Sequence, residues 1–363
     1  MDRIAKRNER TRRLLAEHFR AYPELQTEDI FKFLFQSAFG CEHMVSDERS
    51  ALSYILAEYS DTSRDRVTRT DRLDGEYSRV HLSCLGDGLE PSTLARLFCL
   101  SSKNEEMGRE ALLEKIDVAR EMILEKELPI DMDEFDRKLD AWRKDDYPAI
   151  HHSETFRRVY RPAYRVVSNR FADLLQVYTG IDKCLKNGPA IVAIEGGSAS
   201  GKSTLGDMLR TIYDCNLFHM DDFFLRPEQR TKERLAEIGG NVDRERFLEE
   251  ILAPARKMRD VTFRRFDCTS QSLEPPVTLP SKRLTIVEGA YSMHPELAPY
   301  YDLSVCLDID PECQQQRIRK RNSPMLAKRF FEEWIPLENL YFDQTRIKER
   351  CSMTVKVGNG EDR

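Results

Sequence analysis

No apolar run in the 363 residues approaches the roughly 20 needed to cross a bilayer, so a membrane span is not expected. The net charge of −6 leaves no basic excess with which to hold nucleic acid or an anionic membrane surface, and neither is expected as a partner. The opening residues, Met1-Asp-Arg-Ile-Ala-Lys-Arg-Asn-Glu-Arg10, are charged and carry no apolar signal core. The nine cysteines are scattered singly, with no C-x-x-C pair, and an odd number cannot all pair internally. Reduced thiols in a cytoplasmic protein are therefore expected. Internal repeats and low-complexity tracts are also missing. What is present, 40% hydrophobic and 33% charged residues, describes a soluble globular chain long enough for two domains.

Residues 1–187 read as a mostly helical domain of unknown role. Thr27 is placed as an N-cap, after which Ile30, Phe31, Leu34, Phe35 and Ala38 share one helical stripe. Leu52, Ile55, Leu56 and Tyr59 repeat the spacing, as do Phe135, Leu139 and Trp142, closed by Tyr147-Pro148. A charged helix is expected around Glu105 to Lys126, and a short strand from Tyr77 to Leu82. Two stretches stand out chemically. Gly40-Cys-Glu-His43 offers Cys41 and His43 as metal donors, but with His81 and Cys84 beyond them the spacing matches no zinc pattern. A helix C-cap at Gly40 is the expected reading. His151-His-Ser-Glu-Thr-Phe-Arg-Arg-Val-Tyr-Arg-Pro-Ala-Tyr-Arg165 mixes His, Arg and Tyr as an anion or hydroxyl site would, though packing is favoured for it.

Lys186-Asn-Gly-Pro189 is turn punctuation, and the second domain, 188–363, is placed after it. It opens on an apolar run, Ile191-Val-Ala-Ile194, followed by Gly196-Gly-Ser-Ala-Ser-Gly-Lys-Ser-Thr204. Gly196, Gly201, Lys202 and Ser203 satisfy the G-x-x-x-x-G-K-[ST] phosphate-loop pattern. Small residues at Gly197, Ser198, Ala199 and Ser200 let the backbone curl its N–H groups inward around phosphate oxygens. The helix beginning at the loop adds the positive end of its dipole. Lys202 reaches the β- and γ-phosphates, and the Ser203 hydroxyl is a ligand for Mg²⁺. A nucleoside triphosphate, ATP with Mg²⁺, is the expected cofactor, held by Gly196 through Thr204.

Further apolar runs, Asn216–Met220, Leu284–Val287, Ser304–Leu307 and Thr354–Val357, alternate with helical patterns, the βαβ signature of a parallel sheet with helices on both faces. Sites in such sheets form at the C-terminal ends of the strands. Three ends carry acids there. Asp221-Asp-Phe-Phe224 offers a general base, and Glu288-Gly289 a carboxylate for Mg²⁺. Asp308-Ile-Asp310 leads into a basic helix with Arg317, Arg319, Lys320 and Arg321, able to offset charge in phosphoryl transfer.

From about Gly188 to Val357 the sequence resembles the uridine kinase, phosphoribulokinase and pantothenate kinase branch of P-loop kinases, on the loop with its doubled glycine and on Asp221-Asp-Phe-Phe224. The resemblance implies that Asp221 is the catalytic base and that Asp243, in Asn241-Val-Asp243, contacts the acceptor's sugar hydroxyls. It also matches Val287-Glu-Gly289 and implies an arginine-bearing lid with Arg317 and Arg321. Departures are equally specific. Where uridine kinases carry a tyrosine-aspartate pair and then a histidine, this chain has Phe266-Asp-Cys-Thr-Ser-Gln271. Arg244-Glu245 replaces a histidine-proline, and Ile318 a lid arginine. Uridine is accordingly not the expected acceptor. Trp334 to Phe342 reads as a site-lining or helix-packing segment, with packing favoured by a stripe of Trp334, Leu337, Leu340 and Tyr341.

The expectation is an α/β protein with a P-loop kinase-type parallel sheet, preceded by a helical domain. It would move the γ-phosphoryl group of ATP to the hydroxyl of a small molecule such as a nucleoside, sugar or related alcohol. The alternative is a nucleotide-binding sensor in which the kinase fold is a switch for the helical domain. A motor-type ATPase is disfavoured, because no run of four apolar residues ends in Asp-Glu.

Overall fold

The apolar runs of the second half become the strands of a single sheet. In the computed structural model, which describes residues 2–41, 47–60, 69–102 and 108–358, these strands are β1 (Ala190–Gly196), β2 (Cys215–His219), β3 (Leu284–Glu288), β4 (Leu303–Ile309) and β5 (Met353–Val357). Their order is β5-β4-β1-β3-β2, and every pairing is parallel. Every residue of β1 and β3 is buried, as expected of central strands covered on both faces. The core on one side gathers Ile191, Phe218, Phe223, Phe247, Val287 and Tyr341. The class is therefore α/β with a parallel sheet and flanking helices.

By compactness the chain divides into two units, Met1–Thr179 and Gly180–Arg363. The division falls inside the helix Leu175–Asn187, at whose C-terminal end the sequence places the boundary. Among the described residues no helix is long and apolar enough to cross a membrane.

The first unit is helical around a three-stranded antiparallel sheet of Thr70–Arg72, Tyr77–His81 and Tyr164–Ser168. Only the middle strand is visible in sequence, as the alternating stretch from Tyr77. Helix Thr27–Phe39 begins one residue earlier than expected: Gln26 is the N-cap, and its N–H donates to Asp29 at 3.0 Å. Thr27 is thus the first helical residue. Gly40 ends this helix at φ +68°, its N–H returning to the Gln36 carbonyl, as the C-cap reading requires. His43, offered with Cys41 as a metal donor, lies outside the described residues, as does 105–107 at the start of the charged helix, which is described from Gly108 to Leu124. In the helix Glu48–Ser60 the predicted stripe is only partly used, for Ile55 is buried while Leu56 is 49% exposed.

Candidate functional site

Between β1 and α1 (Lys202–Ile212) the chain makes the tight loop that the glycine pattern predicts. Gly201 caps α1 at φ +98°, and Ala199 is also left-handed at +61°. A left-handed residue with a side chain is uncommon, and alanine is about the smallest that can adopt it. The ammonium of Lys202 folds back to the Gly197 carbonyl at 3.0 Å. The Ser200 hydroxyl, buried within the loop, has no hydrogen-bond partner among the described residues. An orphaned donor in a glycine-rich loop at a helix N-terminus fits a phosphate oxygen.

The sheet register brings the acids to this loop. Glu288, the last residue of β3, lies level with Ile194 in β1 and His219 in β2. Its Oε1 accepts from the Ser203 hydroxyl at 3.0 Å and lies 2.6 Å from Nδ1 of His219. The Glu288 contact raises the His219 pKa and favours the imidazolium. Gly289 then turns the chain at φ +148°, and a Cβ there would stand 2.5 Å from the Cβ of Met220. Only glycine lets the two strand ends sit this close.

Asp221 follows β2 in a short 3₁₀ turn, Met220–Phe223. It opens to solvent at the mouth of the site, yet the protein around it desolvates the carboxyl and raises its pKa. The charges of Lys202, His219 and Arg321 oppose that rise, and Glu288 adds to it. Asp221, Lys202 and Glu288 therefore share one electrostatic neighbourhood.

The basic helix α2 (Pro311–Arg321) also reaches the loop. Arg317 donates to the Ala199 carbonyl at 3.1 Å, and Gln314 to the Ser198 carbonyl at 2.9 Å. Arg321 lies 6.0 Å from the Phe330 ring. Ile318 faces the core and is fully buried.

Asp243 is placed differently from its expected role at an acceptor. It is 2% exposed and caps the helix Arg244–Phe247, accepting from the Arg246 N–H and, at 3.0 Å, from Gln229. In this conformation it ties two loops together and offers an acceptor no surface. The stretch Phe266–Gln271 forms part of a small hairpin, with Phe266 buried and Cys268 exposed.

The packing stripe assigned to Trp334, Leu337, Leu340 and Tyr341 needs correction. In α3 (Ile335–Thr345) Leu337 and Leu340 are each 46% exposed, and the buried residues are Glu338 and Tyr341. Glu338 turns to the phosphate loop, where Oε2 accepts the Ser198 N–H at 2.8 Å and Oε1 its hydroxyl at 2.6 Å. Burial raises the pKa of this carboxyl, while Ser198 and the charge of Lys202 hold it down. Three residues later the Tyr341 hydroxyl donates to Glu195 at 3.0 Å. Glu195 is wholly buried at the end of β1 and also accepts the N–H groups of Gly196 and Met293. Burial pushes its pKa up to about 7. Glu195, His219, Gln314 and Glu338 escape a reading of the sequence, where only the polar residue ending the first strand could have drawn attention.

Among the described residues no group of three or more His, Cys, Asp or Glu is arranged to hold a metal. Ser203 and Glu288 are two adjacent oxygen donors, which fits Mg²⁺, an ion that keeps waters and phosphate oxygens in its shell.

No family model matches the chain, and no curated protein does. Solved structures resemble about half of it. One is a "possible uridine kinase" from Bacillus stearothermophilus, 20% identical, covering 49% of this chain and 98% of its own, with a TM-score of 0.37. The YGR205w protein is 14% identical over 53% of this chain and 94% of its own, at 0.38. Shikimate kinase from Bacteroides thetaiotaomicron is 15% identical over 46% and 86%, at 0.25. These likenesses are loose, and the α/β class stands on the chain's own strand order.

Proposed function

We propose that the chain is a phosphotransferase that moves the γ-phosphoryl group of ATP to a hydroxyl of a small molecule, a nucleoside, sugar or related alcohol. The observation that carries this is the meeting of Lys202, Ser203, Asp221 and Glu288 at the C-terminal ends of three adjacent parallel strands. ATP supplies the transferable group, and Mg²⁺ offsets its charge. The loop amides and Lys202 hold the phosphates, and Ser203 with Glu288 hold the metal. Asp221 orients the acceptor hydroxyl and takes its proton, its raised pKa bringing it closer to a useful base. Arg317, bonded to the loop, and Arg321, within electrostatic reach of Asp221, neutralise the developing charge. Such catalysis is mostly positioning and electrostatics.

The test is ADP release with ATP and Mg²⁺ against a panel of nucleosides, sugar phosphates and alcohols. Acceptor-dependent turnover that is lost in Lys202→Ala is expected. Slow hydrolysis indifferent to every acceptor would instead support a nucleotide-binding switch acting for the first unit. One feature favours that second reading: the loop already holds an anion from its own chain, Glu338.

A further inference from the structure

The first unit contains a buried charged cluster that the phosphotransferase reading does not use. Arg79, in the central strand Tyr77–His81, is 1% exposed. A guanidinium stays charged in any protein environment. Its contacts are nevertheless neutral: Nε donates to the Gln36 side-chain oxygen at 2.9 Å, and Nη1 lies 3.0 Å from Nε2 of His18. The group rests 4.8 Å from the centre of the Tyr164 ring. Its Nη2 is buried and has no hydrogen-bond partner among the described residues.

The nearby acids do not resolve this. Asp29, in the helix Thr27–Phe39, is fully engaged by His152 at 2.7 Å, by the N–H and hydroxyl of Ser153, and by the Gln26 N–H. Asp71 accepts from Tyr22 and contacts His81 at 2.8 Å. A second cation lies in the same cluster. Lys32 is 9% exposed, and its ammonium donates to the Ile150 carbonyl at 2.8 Å. Burial and then the charge of Arg79 push its pKa down to about 8. Burial likewise brings His152 down to about 4, despite the Asp29 contact, so the ring is neutral. With Nδ1–H donating to Asp29, Nε2 of His152 accepts a hydrogen bond from the Tyr164 hydroxyl at 2.7 Å. The aspartate, the histidine and the tyrosine thus form one ordered chain that ends beside Arg79.

A cluster serving stability alone satisfies its members, because a buried polar group left without a hydrogen-bond partner is destabilising. Here the helix Thr27–Phe39 and the strand Tyr77–His81 each deliver a cation, and Asp29 and Asp71, though within electrostatic reach, hydrogen-bond to other groups and leave Arg79 Nη2 unpaired. Tyr164 is half-buried, so one residue of the cluster reaches the surface. We propose that the first unit binds a small oxyanion, a phosphate or carboxylate group, whose oxygens meet Arg79 Nη2 and Lys32. His152 and Tyr164 of the His151–Arg165 stretch belong to the same cluster, and the site is independent of the phosphate loop.

Crystals of the full chain soaked in sodium tungstate, a tetrahedral dianion, test it directly. An anomalous peak within hydrogen-bonding distance of Arg79 is expected; no peak, or one at the phosphate loop alone, overturns the proposal. In solution, millimolar inorganic phosphate or acetate at fixed ionic strength raises the wild-type thermal midpoint by several degrees. Arg79→Met keeps a ligand-free midpoint at or above wild type and loses that rise. A rise that persists in Arg79→Met belongs to the phosphate loop, and a lowered midpoint without any anion effect in wild type makes Arg79 purely structural; either result sinks the idea. Phosphate acting alone assigns a phosphoryl group, and acetate acting alone a carboxylate. Should Arg79→Met fail to fold, the tungstate position in wild type still decides.

Discussion

Glu338 holds both the backbone N–H and the side-chain hydroxyl of Ser198, so one carboxylate of α3 occupies the phosphate loop from within the chain. A negative charge there opposes a triphosphate. Two unit charges 4 Å apart repel by about 4 kcal/mol at an effective dielectric near 20, and displacement of the side chain relieves part of this. Glu338→Gln should therefore bind Mg·ATP about tenfold more tightly, a change of about 1.4 kcal/mol. Titration calorimetry with a non-hydrolysable analogue measures it, and unchanged or weaker binding would show that Glu338 plays no such part.

Asp221→Asn should lower turnover by about 10² to 10⁴-fold, the usual contribution of a general base, with nucleotide binding largely kept. Because the base works only when ionised and its pKa is raised, kcat/KM should climb with pH through a limb above the ordinary aspartate range. That limb should vanish in the variant. Near-wild-type rates would remove Asp221 from the mechanism.

Glu195 gives stability a pH dependence whose sign can be worked out. Its folded pKa, about 7, lies above the unfolded value of 4.5, so between these values the folded chain binds more protons than the unfolded one. Stability from this group is then fully present below the unfolded value and is lost as pH rises towards 7, a decline on the order of a few kcal/mol. Urea unfolding at pH 5, 6, 7 and 8 should show a shallower decline in Glu195→Gln than in wild type. Parallel curves would refute the assignment.

Gly289→Ala should destabilise the second unit by about 2 to 4 kcal/mol, combining overpacking with backbone strain. The added methyl would press on Met220 and part the ends of β2 and β3, so activity should fall with stability. Denaturant midpoints and turnover measured together check this; a variant as stable as wild type would mean that the turn relaxes freely.

The sheet is readable because its strands are short apolar runs separated by helical periods, and the phosphate loop because its residues are contiguous. Asp221 and Glu288 are readable for the same reason, each standing immediately after an apolar run. Glu338 is not. Apolar spacing in its helix points to Leu337 and Leu340, while the buried face carries a carboxylate whose partner is 140 residues away. Long-range polar pairing leaves no periodic trace. Asp243 shows the converse, a residue singled out from a local motif whose side chain serves as a cap in this conformation.

The place of Ala190–Gly196 in the strand order has a consequence for how the protein is made. Both its neighbours, Leu284–Glu288 and Leu303–Ile309, come later in the chain. At about 5–20 residues per second, ribosomes take several seconds between the first of these strands and its partners. Throughout that interval the nascent chain carries an apolar segment with bare edges on both sides, the kind of template on which other chains pair. Fragments ending before Leu284 should keep both edges bare permanently, and aggregate where the full-length chain does not.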